Sequence, residues 1–194
     1  MEKKKQEIRM KEIRALENNE NKMIIEGYAV VFNSPSEPIY GEFVETVDRN
    51  AFNGCDMKDV VLRYNHTDTY PIMARTKNNS LQLLIDDKGL KIVAELVDTQ
   101  TNRDLYKSIE AGLVDKMSFR FSVSADDWDY SVSPVQRKIM KFDKLFDVSI
   151  VDNPAYEGTE VYARSKEEVQ EEKRKFEERK LEFEKLKLKL KLSI

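Results

Sequence analysis

Ser118 and His66 are the residues of this chain best suited to act on one another. A serine hydroxyl is a weak nucleophile until a neighbouring base takes its proton, across about 3 Å. The chain has a single histidine, the side chain whose unperturbed pKa of about 6.5 suits that task near neutral pH. Such a base is usually held by an orienting acid, which fixes its tautomer and stabilises the imidazolium. Asp147 is the candidate, because it interrupts an apolar run in which an unpartnered carboxylate would be costly. Each residue taken alone also has a structural reading. Ser118 can be a polar residue of a half-solvated face, His66 a hydrogen-bonded surface residue, and Asp147 an edge-strand charge that discourages aggregation. The rival nucleophile is Cys55, eleven residues before His66 in the polar turn Asn53–Gly54–Cys55–Asp56. Asp126, Asp127 and Asp129 can hold a cation or simply form a solvated loop.

The positioning elements are read from hydrophobic period. Around the serine, Met117, Phe119, Phe121 and Val123 alternate with Ser118, Arg120, Ser122 and Ser124, the pattern of a β-strand with one buried face. Val60 to His66 reads as a strand in which Val60, Leu62, Tyr64 and His66 share a face, with His66 at its exit. On the strand around the aspartate, Leu145, Asp147, Ser149 and Val151 oppose Phe146, Val148 and Ile150. Further strands are expected over 23–32 (with a bulge or a close backbone approach at Gly27), 39–47, 72–75, 81–85, 90–96 and 138–142, with a closing edge at Val161–Tyr162–Ala163. Asp48 is expected to cap a short helix carrying Ala51 and Phe52. Thr101 with Asp104 approximates a capping box for a longer helix stopped by Gly112. Residues 1–20 carry either a weak helical stripe or an extended arm. The expected fold is mainly β with a few helices, a closed or nearly closed antiparallel β-barrel.

Charge divides the chain. Of 33 Lys/Arg and 36 Asp/Glu, ten and eight fall in residues 165–194, leaving 23 and 28 for residues 1–164. The body is therefore net −5 and the tail net +2, and a mildly acidic body gives no support for nucleic-acid binding. No run of about 18 apolar residues suggests a membrane span, and no apolar stretch follows the basic N-terminus as in a secretory signal. One cysteine and one histidine allow no intrachain disulfide and no ordinary zinc site. There is no phosphate-binding glycine loop either, so no metal or cofactor is expected and the compartment is read as cytoplasmic. Three parts follow: an arm over 1–22, a β-barrel domain over 23–164 and a charged helical tail over 165–194. In the tail Val169, Phe176, Phe183 and Leu190 are spaced by seven, a partial coiled-coil signal. Its Leu186, Leu188, Leu190 and Leu192 also alternate with lysines, as a strand would.

In order and spacing these pieces resemble the prohead (capsid maturation) serine proteases of tailed bacteriophages, which are similar in fold to herpesvirus assemblins. The resemblance runs through Glu26–Gly27–Tyr28–Ala29–Val30–Val31–Phe32–Asn33, Phe43–Val44–Glu45, Asn50–Ala51–Phe52 and Asn65–His66. It continues through Asp87–Lys88–Gly89–Leu90, Asp98–Thr99, Met117–Ser118–Phe119–Arg120–Phe121, Asp147–Val148–Ser149–Ile150–Val151 and Asn153–Pro154–Ala155. It implies an assemblin-type antiparallel barrel with His66, Ser118 and Asp147 as catalytic residues. The implied activity is endopeptidase action on scaffold, on the scaffold-like segment of the major capsid protein, and on the enzyme itself. The implied setting is inside the procapsid, in the cytoplasm of the bacterial host, as a homo-oligomer (dimer or higher). Three positions depart from the pattern: Asn50 where glycine is frequent, Thr67 where an aspartate often follows the histidine, and Arg120 where glycine is common. A catalytically inactive assembly or scaffold protein of the same fold is the first alternative. A β-barrel binding module using the groove beside Arg120 is the second.

Overall fold

The structure, a computed structural model, describes residues 7–16, 22–39, 41–152 and the tail positions 174, 178 and 181. Nine strands form one sheet: β1 Glu7–Leu16, β2 Met23–Val31, β3 Phe43–Val47, β4 Val61–Tyr64, β5 Ala74–Arg75, β6 Leu81–Ile85, β7 Gly89–Leu96, β8 Lys116–Asp129 and β9 Val135–Val151. The hydrogen-bonded order is β5-β4-β9-β8-β1-β2-β7-β6, with β3 also on β9. Both ends of this path feed one core, Ala74 from β5 and Leu81 from β6 packing in the same cluster as Leu62, Met117, Phe119, Val148 and Ile150. The sheet therefore curls over its own apolar face.

Two expectations of the fold are corrected. No ladder joins β5 to β6 among the described residues, so the pairing does not close into a barrel. Nor is the sheet purely antiparallel, since β3 and β4 both run parallel to β9. Hydrophobic alternation reports one buried face per strand and says nothing of the neighbour's direction. Residues 7–16, expected within an outer arm, are a sheet strand between β2 and β8. The two expected strands over 138–142 and 144–151 are one, and β8 runs on through Asp126 and Asp127 to Asp129 where a loop was expected.

Local chemistry accounts for smaller differences. The bulge in β2 lies between Tyr28 and Val30, while Gly27 keeps regular partners on both sides. Residues 49–54 are turns rather than a helix: Asp48 accepts from the Asn50 backbone N–H at 2.9 Å, and Gly54 takes φ +80°. Helix α1, Gln100–Glu110, is capped by Thr99 rather than Thr101. The Thr99 hydroxyl accepts from Asn102 N–H at 3.2 Å, and Leu105 and Ile109 enter the core. Phe52, Phe119, Phe121 and Phe142 stack at centroid distances of 4.6–6.0 Å behind the serine strand. Beyond this core, β8 and β9 extend as a hairpin whose Trp128 packs on Phe43 at 5.2 Å. Arg174, Glu178 and Leu181 are helical, with Arg174 and Glu178 paired one turn apart at 2.8 Å. The expected edge at Val161–Tyr162–Ala163 and the rest of the tail lie outside the described residues.

The tightest backbone approach is at Gly89, where a Cβ would stand 2.0 Å from the Val30 carbonyl oxygen. Backbone cannot swing aside as a flexible side chain can. Gly89→Ala should therefore cost about 3 kcal/mol or more, read as a lowered urea midpoint. Gly41→Ala should cost only about 1 kcal/mol, from its φ of +70°, since nothing lies within 4 Å of that Cβ.

Candidate active site

The regular part of the β8–β9 ladder is the foundation of the site. Ser118 lies directly opposite Ser149, and Arg120 opposite Asp147. On the other side of β9, Arg63 lies beside Ser149 and Val61 beside Asp147. Met117, Phe119, Val148 and Ile150 take the intervening positions and fill the core, so Ser118, Arg120, Asp147 and Ser149 share the opposite face. A register shift after Arg120 leaves Phe146 without a partner on β8. Leu145, expected on the face of Asp147, is thereby returned to the core. Asp147 is not an edge residue, because β9 is flanked there by β8 and β4.

His66 reaches this face from a turn, not from the strand exit expected of it. β4 ends at Tyr64, and Asn65 and His66 follow with φ of 51° and 53°. The Thr67 N–H donates back to the Tyr64 carbonyl at 3.1 Å. Two successive positive φ values and a first-to-fourth bond mark a type I′ turn. Asparagine tolerates that conformation, but histidine at the second position, where glycine is usual, carries about 1–2 kcal/mol of strain. The turn is fastened from several directions. Asn65 N–H donates to Ile150 O at 2.9 Å, and its Oδ1 accepts from Asp152 N–H at 3.3 Å. The Tyr64 hydroxyl donates to Asp152 Oδ2 at 2.8 Å, and burial, followed by the Asp152 bond, pushes its pKa up to about 12. Arg63 donates to Thr67 O and pairs with Asp68, each at 3.0 Å. Arg63 was not singled out from sequence; its one signal is a lone charge in an apolar strand.

Asp147 is wholly buried and collects the surrounding donors. Its Oδ1 lies 2.6 Å from His66 Nδ1 and accepts from the Ser149 hydroxyl at 3.0 Å. Its Oδ2 lies 2.7 Å from Arg120 Nε, in contact but out of hydrogen-bond alignment. A carboxylate only accepts, so His66 Nδ1 carries a proton, and in the neutral tautomer Nε2 presents its lone pair. Ser118 is also fully buried, one cross-strand step from Ser149. No hydrogen bond joins Ser118 to His66: Ser118 Oγ and His66 Nε2 are both buried without a partner. Arg63 Nε, Arg120 Nε and Asp147 Oδ2 complete the set of such atoms among the described residues. All five belong to this one face. The structure thus brings His66 to Asp147 and sets Ser118 on the same face, opposite Ser149, with its hydroxyl unclaimed.

The model of the caudovirus prohead serine protease family matches residues 9–175. The chain belongs to that family. No curated protein and no solved structure matches it. The matched span takes in β1 from Arg9 onward together with β4, β8 and β9, and hence Ser118, His66 and Asp147.

The other candidates lie elsewhere. Asp126 is taken up by Arg137, which donates to it from Nε at 2.8 Å and pairs through Nη1 with Glu45 at 2.9 Å. Asp129 accepts from Ser131, which holds its carboxyl below the usual range. Cys55 is half-buried, and that burial pushes its thiol up to about 11, so it stays protonated and unreactive at neutral pH. Iodoacetamide at pH 8 should label Cys55 at least about tenfold more slowly in the folded protein than in urea, with alkylation followed by mass. A second expectation isolates the strain at His66. Both His66→Gly and His66→Ala lose the imidazole, but only alanine keeps the positive-φ penalty. The glycine variant should be the more stable by about 1 kcal/mol in paired urea titrations.

Proposed function

We propose that this prohead protease is a serine endopeptidase in which Ser118 is the nucleophile, His66 the general base and Asp147 the residue that orients His66. The observation that carries this reading is the convergence of unpaired buried polar atoms, Ser118 Oγ and His66 Nε2 among them, on one face. Buried polar groups are normally satisfied, and unmet capacity gathered in one place fits a site that awaits a substrate. His66 Nε2 takes the Ser118 proton while Ser118 Oγ attacks a peptide carbonyl. The resulting imidazolium is stabilised by Asp147 and returns its proton to the leaving amine. Water, deprotonated by His66, then releases the acyl group and restores the serine.

Ser118 has no exposed surface, so a substrate carbonyl reaches it only after its cover opens. Such an opening suits an enzyme whose activity must wait for assembly. The proposed substrates are scaffold or the scaffold-like segment of the major capsid protein, together with the enzyme's own chain. The proposed setting is the procapsid in the host cytoplasm, with the protease as a dimer or larger homo-oligomer. The charged segment 165–194 is the proposed product of self-cleavage.

The test incubates wild type, Ser118→Ala, His66→Ala and Asp147→Asn with the cognate capsid protein over a range of enzyme concentrations. Fragments and the enzyme itself are weighed by mass spectrometry. Ser118→Ala and His66→Ala should each lose about 10³-fold or more, and Asp147→Asn about 10²–10⁴-fold. Processing that is equal in wild type and Ser118→Ala, or absent from both, would overturn the protease reading in favour of an inactive assembly protein.

A further inference from the structure

Arg120 and Arg137 stand in the same sheet and end in very different surroundings. Arg137 is buried and holds two carboxylates at once: Glu45 on Nη1, and Asp126 across Nε and Nη2 at 2.8 Å. Its guanidinium also lies over the Trp128 ring at 5.2 Å. That is a guanidinium with its fork in use. Arg120 has Asp147 at 2.7 Å and no other ionic partner among the described residues. Even there the Nε–H is out of alignment, and the group donates no hydrogen bond among the described residues. Its side chain keeps 26% of its surface open to solvent, whereas Asp147 has none. Arg120 follows Ser118 by two residues on the same face, a strand distance of about 7 Å.

We infer that Arg120 is a specificity residue, which takes an acidic side chain of the substrate within about two residues of the scissile bond. The inference rests on the protease reading above. The chemistry favours a carboxylate over a neutral amide for two reasons. A planar fork with free donors matches a carboxylate in a two-point contact. The second reason is charge. Before reaction, Asp147 faces one cation, Arg120, and a neutral imidazole. Once His66 has taken the Ser118 proton, Asp147 faces two cations, and a substrate carboxylate on Arg120 supplies the second negative charge. The preference therefore strengthens towards the transition state and shows in kcat as well as in KM.

The test digests a random-peptide library with full-length protein at a concentration where cleavage depends on Ser118, and maps the cut sites by mass spectrometry. Asp and Glu should be enriched at one position within two residues of the cut. A matched Glu/Gln peptide pair built on the best site should differ in kcat/KM by about tenfold or more, and by less at high salt. Arg120→Gln should collapse that ratio to near one, and Arg120→Lys should keep part of it. Arg120→Glu should turn the preference towards Lys and Arg. The readout is a ratio within each variant, so a general loss of rate does not obscure it. Ser118-dependent cleavage with no acidic enrichment, or an equal rate loss by Arg120→Gln on both peptides, overturns the specificity role alone. The absence of any Ser118-dependent cleavage overturns the protease reading, and this inference falls with it.

Discussion

A carboxylate with no exposed surface, Asp147, sets the terms for everything around it. Taking such a charge out of water costs several kcal/mol unless cations and hydrogen bonds replace the lost solvent. Here the replacements come from three separated parts of the chain: Ser149 on the same strand, Arg120 across the β8–β9 ladder, and His66 from the turn after β4. The magnitudes show why the histidine stays. Its positive-φ backbone costs about 1–2 kcal/mol, whereas a hydrogen bond to a charged group contributes about 1.5–3 kcal/mol. The bond to Asp147 alone matches or exceeds the strain. The backbone bonds of Asn65, the Tyr64–Asp152 contact and the Arg63 fork act on the same side.

Precision at the site depends on where the sheet is regular. The β8–β9 ladder pairs residue for residue from Lys116–Val151 to Arg120–Asp147, and each of its register shifts falls beyond that point. The irregular stretch bends the hairpin and carries it out to Trp128 and Arg137. The regular stretch holds Ser118, Arg120, Asp147 and Ser149 at fixed spacings with an aromatic core behind them. Groups mounted on strands hold their geometry better than groups on loops. The one loop-borne member, His66, is compensated by its several fastenings. β4 contributes by lying parallel to β9, which brings its C-terminal end, and hence the turn, level with Ile150 and Asp152.

What the sequence made legible follows from which signals are local. Alternation around Ser118 reported the strand and the side on which the hydroxyl lies, since both depend on neighbours two residues apart. The cost of an unpartnered carboxylate pointed to Asp147, and that argument required no knowledge of its partners. Beyond this, the information is held in contacts distant along the chain. His66 was expected on the face of Val60, Leu62 and Tyr64, because nothing in Tyr64–Asn65–His66–Thr67 announces a type I′ turn without the glycine that usually marks one. Arg63 drew no notice in the sequence, because its contacts to Thr67 and Asp68 form only once the turn closes. Strand direction was invisible, and so a closed or nearly closed antiparallel barrel was expected where the sheet is mixed and no ladder closes it among the described residues. Asp126 looked solvated because its partner, Arg137, lies eleven residues further on.

The contrast between the two buried polar clusters separates structure from function. Around Arg137, Glu45 and Asp126 leave no buried side-chain atom unpaired among the described residues, and the cluster joins β3 to the outer hairpin. Around Asp147, Ser118 Oγ, His66 Nε2 and Arg63 Nε are buried with no partner, at a cost of about 1–3 kcal/mol each, while Arg120 Nε and Asp147 Oδ2 meet only each other as a misaligned ion pair. If the site served stability alone, Ser118 replaced by alanine would remove one of these deficits and lose nothing. A buried hydroxyl without a partner, on the face it shares with Asp147 and Ser149, fits the proposal that its partner arrives with substrate. His66 Nε2, which carries a lone pair in the neutral tautomer, likewise faces no hydrogen-bond donor among the described residues. Deficits of opposite kind, a proton to give and a lone pair to receive it, lie on one face of one sheet. That complementarity is what the proposed acyl transfer requires, and packing for stability alone has no use for it.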